Sequence, residues 1–205
     1  MAKHSAQEKE QTKEKLVESA MSLFMKNGYA KTTLEDIVKN VGLTRGAFYW
    51  NYKEKKDLLL EIEKRYNSVI QNYFRIEEKE SPYESLKSMI IRYLDQRVNS
   101  SNDFLYFIRY RIEAETELND LTDRQKQLDV EVLEEIEKQI TKGKEAGEFE
   151  KEVDAQKAAF YLYTNLVGIG TLTTTHRGQD GLQLGFITDD LEDYADFLLK
   201  GIQRQ

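Results

Sequence analysis

The 205-residue sequence contains no cysteine, which excludes a disulfide framework, a thiolate metal site and a cysteine nucleophile together. Proline is almost absent, with Pro82 alone, so little interrupts long helices. There are two histidines, His4 and His176, and neither has a second histidine or a Glu-x-x-His neighbour. Helical zinc and di-iron carboxylate sites are thereby excluded. No G-x-S-x-G elbow or phosphate-loop lysine motif occurs, and Gly178, Gly181 and Gly185 follow a helical pattern rather than a strand, which makes them a loop. The chain is expected to be no enzyme, with no metal and no cofactor. No apolar run approaches the roughly 18 residues of a membrane span, and residues 1–15 lack the apolar core of a secretory signal. A cytoplasmic location is expected.

What is present is a helical composition. Apolar residues make up 40% and charged residues 33% of a 24.0 kDa chain, enough for one medium domain or two small ones. The net charge of -7 divides unevenly. Residues 1–65 carry 13 Lys and Arg against 10 Asp and Glu, whereas residues 66–205 carry 17 against 27. If any part meets nucleic acid, it is the first.

Residues 1–12 are polar and charged and read as a frayed tail, with Lys3, Lys9 and Lys13 within reach of a phosphate backbone. Leu16, Ala20, Leu23 and Phe24 then trace one stripe of a helix over residues 13–26, stopped by Asn27-Gly28. In residues 32–59, Leu34, Ile37, Val38 and Val41 share a helical face, with Thr33 as N-cap and Asp36 completing a capping box. Gly42 ends this helix, Leu43 is expected to bury in the turn, and Thr44 caps a second short helix in which Phe48 and Tyr52 share a face. Arg45, Gly46, Tyr49 and Trp50 point elsewhere. Two helices joined by a short glycine-containing turn make a helix-turn-helix, although helical hairpins without a DNA role share the pattern.

Residues 13–59 resemble the N-terminal domain of the TetR family of transcriptional regulators, through Ala20, Leu23, Phe24, Gly28, Tyr29, Thr32, Thr33, Ile37, Val41, Gly42, Thr44, Gly46, Tyr49, Trp50, Lys55 and Leu58. The resemblance implies an all-α protein: an N-terminal three-helix helix-turn-helix DNA-binding domain over residues 1–53 and a larger helical ligand-binding and dimerisation domain over residues 54–205. It also implies DNA contacts at Thr33, Thr44, Arg45, Gly46, Tyr49, Trp50, Asn51 and Lys55. An arginine at the second position of a recognition helix can donate twice to guanine O6 and N7, and Gly46 allows close approach. Thr44, Tyr49 and Asn51 can donate to phosphates, and the Tyr49 or Trp50 ring can pack on a thymine methyl. Asn51-Tyr52 departs from the His-Phe of many relatives, which removes the histidine phosphate contact. The stretch from Thr44 to Trp50 is similar to that of members that repress multidrug efflux pumps.

Residues 54–76 read as one unbroken linking helix. Pro82 opens another that carries Leu86, Ile90, Tyr93 and Leu94 inward, and residues 104–112 are apolar nearly all round apart from Arg109 and Arg111. An acidic helix over residues 123–146 is expected to end at Gly143 and Gly147. Residues 154–175 and 188–203 form the last two helices, separated by a loop over residues 176–187, and the resemblance implies that they pair with their copies in a homodimer. Tyr93, Phe104, Phe107, Tyr110, Arg111, Tyr161 and Asn165 are the candidate ligand residues, an aromatic set with polar handles suited to a lipophilic molecule. The expected function is a repressor that binds a palindromic operator as a dimer and is released by a small effector. The rival is a helical protein-binding or scaffold module without a DNA role.

Overall fold

The computed structural model describes residues 2–99, 119–175, 187 and 190–203. Among the described residues there are eight longer helices: α1 (Ala2–Asn27), α2 (Leu34–Asn40), α3 (Arg45–Tyr49), α4 (Lys55–Phe74), α5 (Pro82–Asn99), α6 (Asn119–Ala146), α7 (Ala155–Thr175) and α8 (Leu191–Leu199). The chain divides into two compact units, one built around residues 1–68 and the other around residues 69–102 and 124–205. Helix α4 runs unbroken through that division. The candidate ligand residues Phe104, Phe107, Tyr110 and Arg111 lie outside the described residues, as does most of the loop expected over residues 176–187.

In the first unit, Leu16, Val17, Ala20 and Phe24 of α1 are buried with Ile37 and Val38 of α2, Phe48 of α3, and Leu58, Leu59 and Ile62 of α4. This is the periodic stripe expected from the sequence, since short amphipathic helices gain stability by burying one face together. Leu23, Leu34, Val41 and Leu43 are only half-buried. Ser19 is buried because its hydroxyl donates to Ile37 O at 2.7 Å and accepts from Asn40 Nδ2 at 3.1 Å. Helix α1 begins at Ala2 and not near Lys13, so the expected frayed tail is helical. Its Gln, Glu and Lys residues are good helix formers, and its side chains have neighbours to lie on. Lys9 Nζ and Lys13 Nζ each stand 6.0 Å from a ring centroid, of Trp50 and Tyr52 respectively.

In the second unit, α5 packs against α7 and α8. Tyr83 Oη donates to Asp196 at 2.7 Å, and Lys87 Nζ approaches the same carboxylate at 2.9 Å. These bonds fasten the start of α5 to α8. Helix α6 buries Leu128, Val132, Ile136 and Ile140, the expected stripe. Gly143 does not end it. The helix continues to Ala146 and closes at Gly147 with φ 78°. Gly143 has another use: a Cβ there would lie 2.2 Å from Cδ2 of the fully buried Phe149. Helix α8 is shorter than expected, beginning after the N-cap Asp190 and ending at Leu199.

Candidate nucleic-acid interface

The helix-turn-helix is built by its caps. Thr33 accepts from Asp36 N at 3.1 Å while Asp36 accepts from Thr33 N at 2.9 Å, so two of the unpaired donors at the start of α2 are satisfied reciprocally. The Thr33 hydroxyl also donates to this carboxylate, and these hydrogen bonds hold Asp36 below the usual aspartate range. The far end of α2 closes with Gly42 N on Lys39 O and Leu43 N on Val38 O, at 3.1 and 2.8 Å. That paired closure needs a left-handed residue, and Gly42 supplies it with φ 65°. Thr44 then caps α3 by accepting from Ala47 N at 3.2 Å. The three short-range bonds at Gly42, Leu43 and Thr44 thus shape the turn between α2 and α3 before any partner is present.

Helix α3 has two dissimilar sides. Phe48 is fully buried, and Tyr52 just beyond the helix lies 5.7 Å from it, centroid to centroid. Burial, then the nearby Glu61 charge, pushes the Tyr52 hydroxyl up to about 12. On the opposite side Tyr49 and Trp50 are 59% and 61% exposed. Large aromatic rings are seldom left in water without a partner to meet. Arg45 is exposed as well, with its Nε 2.7 Å from Glu35. Thr33, Thr44 and Gly46 are open to solvent on the same short stretch. A Cβ on Gly46 would meet nothing nearer than the Thr44 hydroxyl at 3.7 Å, so the free fold makes no demand for glycine at that position.

Two of the expected DNA-contact residues are engaged within the unit. Asn51 Nδ2 donates to Ala47 O at 2.9 Å and closes the end of α3. Lys55 Nζ donates to Tyr29 O and Thr32 O at 2.7 and 2.8 Å and lies 4.1 Å from the Tyr29 ring centroid. The ammonium satisfies carbonyls in the turn after α1, where Gly28 has φ 86°. Thr32, fully buried, donates to Gly28 O at 2.8 Å and fastens the same turn. A position number in the sequence does not reveal this bracing, because the bonds join residues more than twenty apart.

The described candidate ligand residues, Tyr93, Tyr161 and Asn165, do not share one environment. Tyr93 is buried, its ring 4.7 Å from Phe74 and 6.3 Å from Tyr73. Tyr161 faces outward at 45% exposure, and Asn165 donates along its own helix to Tyr161 O. Tyr163, on the same helix, faces inward, its ring tilted against Phe74 with centroids 5.2 Å apart and its hydroxyl donating to Asp129. Beside this cluster an open cavity of about 450 Å³ is lined by Gln71, Asn72, Phe74, Arg75, Ile76, Glu131, Val132 and Glu135. Arg97 is buried and donates to Gly170 O at 2.6 Å. Gly170 leaves room for both side chains, since a Cβ there would fall 2.4 Å from Tyr93 Oη and 2.9 Å from Arg97 Nε.

Residues 16–62, which contain all of α2 and α3, match the family model described as bacterial regulatory proteins, tetR family. Over this segment the chain carries the N-terminal domain of the TetR family of transcriptional regulators. Over 174 residues it is 27% identical to the HTH-type transcriptional regulator AcrR of Shigella flexneri, covering 82% of this chain and 81% of that one. Over 177 residues it is 23% identical to TtgR of Pseudomonas putida, covering 82% and 83%. Both relatives are named as transcriptional regulators, a non-enzymatic role. Among solved structures, native NalD, the secondary repressor of the MexAB-OprM multidrug efflux pump in Pseudomonas aeruginosa, superposes with a TM-score of 0.73 at 18% identity, over 96% of this chain and 98% of that one. The SmeT–triclosan complex gives 0.72 at 21% identity, over 95% and 93%. These superpositions show that the TetR-type fold extends beyond the matched segment. No described helix is long and apolar enough to cross a membrane.

Proposed function

We propose that this TetR-family regulator is a repressor that binds a palindromic operator as a homodimer and releases it when a small lipophilic effector binds. The exposed side of α3 carries the proposal: Arg45, Tyr49 and Trp50 stand in solvent on a helix entered through a turn already shaped by Thr44 and Gly42. Residues 1–53 are the reading domain and residues 54–205 hold the effector and the partner copy. Arg45 reads a guanine. Thr33, Thr44, Gly46, Tyr49 and Trp50 form the rest of the DNA surface, and Asn51 and Lys55 brace it from within. A single head spans a few base pairs, and two heads about one DNA turn apart read a palindrome. Exposed Phe160, Tyr161 and Leu172 on α7 and Phe197 on α8 support pairing through these two helices.

The effector site is assigned to the cavity at the C-terminal end of α4, where Phe74 and Ile76 give apolar surface and Arg75, Glu131 and Glu135 give polar handles. Helix α4 connects that end to the reading domain without a break, and a coupling of roughly 1–3 kcal/mol would change DNA affinity about 5–150-fold. Relatives named as operon or efflux-pump repressors make a transporter gene a natural target. A cytoplasmic location follows from this role. The test is an electrophoretic mobility shift with DNA flanking its own gene and with duplexes selected from a randomised pool. Selection of an inverted repeat supports the proposal. Failure to enrich any sequence, with no shift of flanking DNA, would leave the scaffold reading in its place.

A further inference from the structure

Glu35 occupies the first turn of α2 but takes no part in the capping box formed by Thr33 and Asp36. Its carboxylate lies 2.7 Å from Arg45 Nε on the next helix and 3.5 Å from Lys39 Nζ one turn along its own. Lys39 and Arg45 are exposed and Glu35 is half-buried, and a pair this open to solvent contributes little to folding. Its geometry matters more than its strength. A guanidinium can make paired hydrogen bonds through Nε and one terminal nitrogen, or through its two terminal nitrogens. Glu35 faces the Nε edge as an ion partner, and among the described residues no hydrogen bond occupies the two terminal nitrogens.

We propose that Glu35 is a positioning residue that sets the sequence specificity of DNA reading. It holds Arg45 by Nε, so that the two terminal nitrogens are presented together to a guanine edge. An unrestrained arginine would distribute over many rotamers and settle on a nearby phosphate, a contact without sequence information. The carboxylate narrows that choice, and its negative charge beside the reading helix disfavours docking on backbone alone. Specificity is a difference between two affinities, and a repulsive group can enlarge it by weakening the wrong complex. Within α2, Lys39 holds the other side of Glu35 and keeps the carboxylate at the helix surface.

This inference rests on the assignment of Arg45 to a base contact, and the experiment separates the two. Dimeric wild-type protein is used to select a duplex from a randomised pool, and affinities for that duplex and its shuffled version are measured for each variant. Glu35→Gln is expected to tighten binding to the shuffled duplex and to lower the selected-to-shuffled ratio about fivefold. Glu35→Asp keeps the charge but shortens the reach, so it should lose ratio while binding the shuffled duplex as weakly as wild type. In an Arg45→Ala background, Glu35→Gln should move both affinities together and leave the ratio unchanged. Thermal unfolding close to wild type for each variant confirms that the effect is not one of folding. If Arg45→Ala lowers the ratio but Glu35→Gln does not, the inference about Glu35 is overturned and the reading of Arg45 stands. A full ratio in Glu35→Asp overturns the positioning role. An unchanged ratio in Arg45→Ala removes the base contact and this inference with it.

Discussion

The two units use the same residue types to opposite ends. In the second, Tyr73, Phe74, Tyr93 and Tyr163 are all buried, their rings meeting at tilted or edge-on angles with centroids 4.7 to 6.3 Å apart. Burial raises the Tyr73 hydroxyl above its ordinary range. In the first, Tyr49 and Trp50 stand largely in water, Tyr49 meeting Phe48 edge-on with centroids 5.4 Å apart and Trp50 lying 6.0 Å from the Lys9 ammonium. An aromatic residue is therefore not evidence for a core or for a contact surface until its neighbours are known. The buried set stabilises the protein, whereas the exposed set is the one proposed above to meet DNA.

The sharpest way to test that contrast is to truncate one ring from each set. Phe74→Ala is expected to lower the free energy of unfolding by about 3–5 kcal/mol, read by urea denaturation, because it removes a shared neighbour of Tyr93 and Tyr163. Trp50→Ala should leave stability within about 0.5 kcal/mol while weakening operator binding by about 1–2 kcal/mol. A Trp50 variant that unfolds early would place that ring in the core and dissolve the comparison. Gly46→Ala separates the two properties further. Alanine should stabilise α3 by about 0.5–1 kcal/mol, since nothing in the free protein fills the space, yet it should weaken operator binding about tenfold if the backbone approaches DNA there.

The smallest effect concerns the frame under the exposed set. Hydrogen bonds from Thr33 depress the Asp36 carboxyl, so its contribution is present above the ordinary aspartate range and is lost as pH falls through the lower folded value. Wild type should melt above Asp36→Asn at neutral pH, and the difference should shrink on acidification below the aspartate range. A gap that widened instead would contradict the capping box.

Much of the first unit was legible because its signals are local. Thr33 and Asp36 are three residues apart, as are Thr44 and Ala47, and a cap works within one turn. The left-handed glycines Gly28 and Gly42 also mark their helix ends in the sequence. The bracing by Lys55 was hidden because its partners Tyr29 and Thr32 are distant along the chain. In α7, periodicity could not separate Tyr161 from Tyr163, since apolar residues occur on both its faces: Phe160 and Leu172 are exposed, while Leu162 and Leu166 are buried. Gly143 looked like a terminator because glycine is most often read through its backbone. Its actual constraint is the space taken by the Phe149 ring.

The exposure of Trp50 also makes the protein its own optical instrument. It is the single tryptophan of the chain, so ultraviolet emission excited at the indole band comes from one site on the reading helix. In the free regulator that emission should resemble indole in water, and contact with nucleic acid should shift or quench it. An effector added before DNA can then be judged at the same ring, without a label, by whether the reading surface itself has changed.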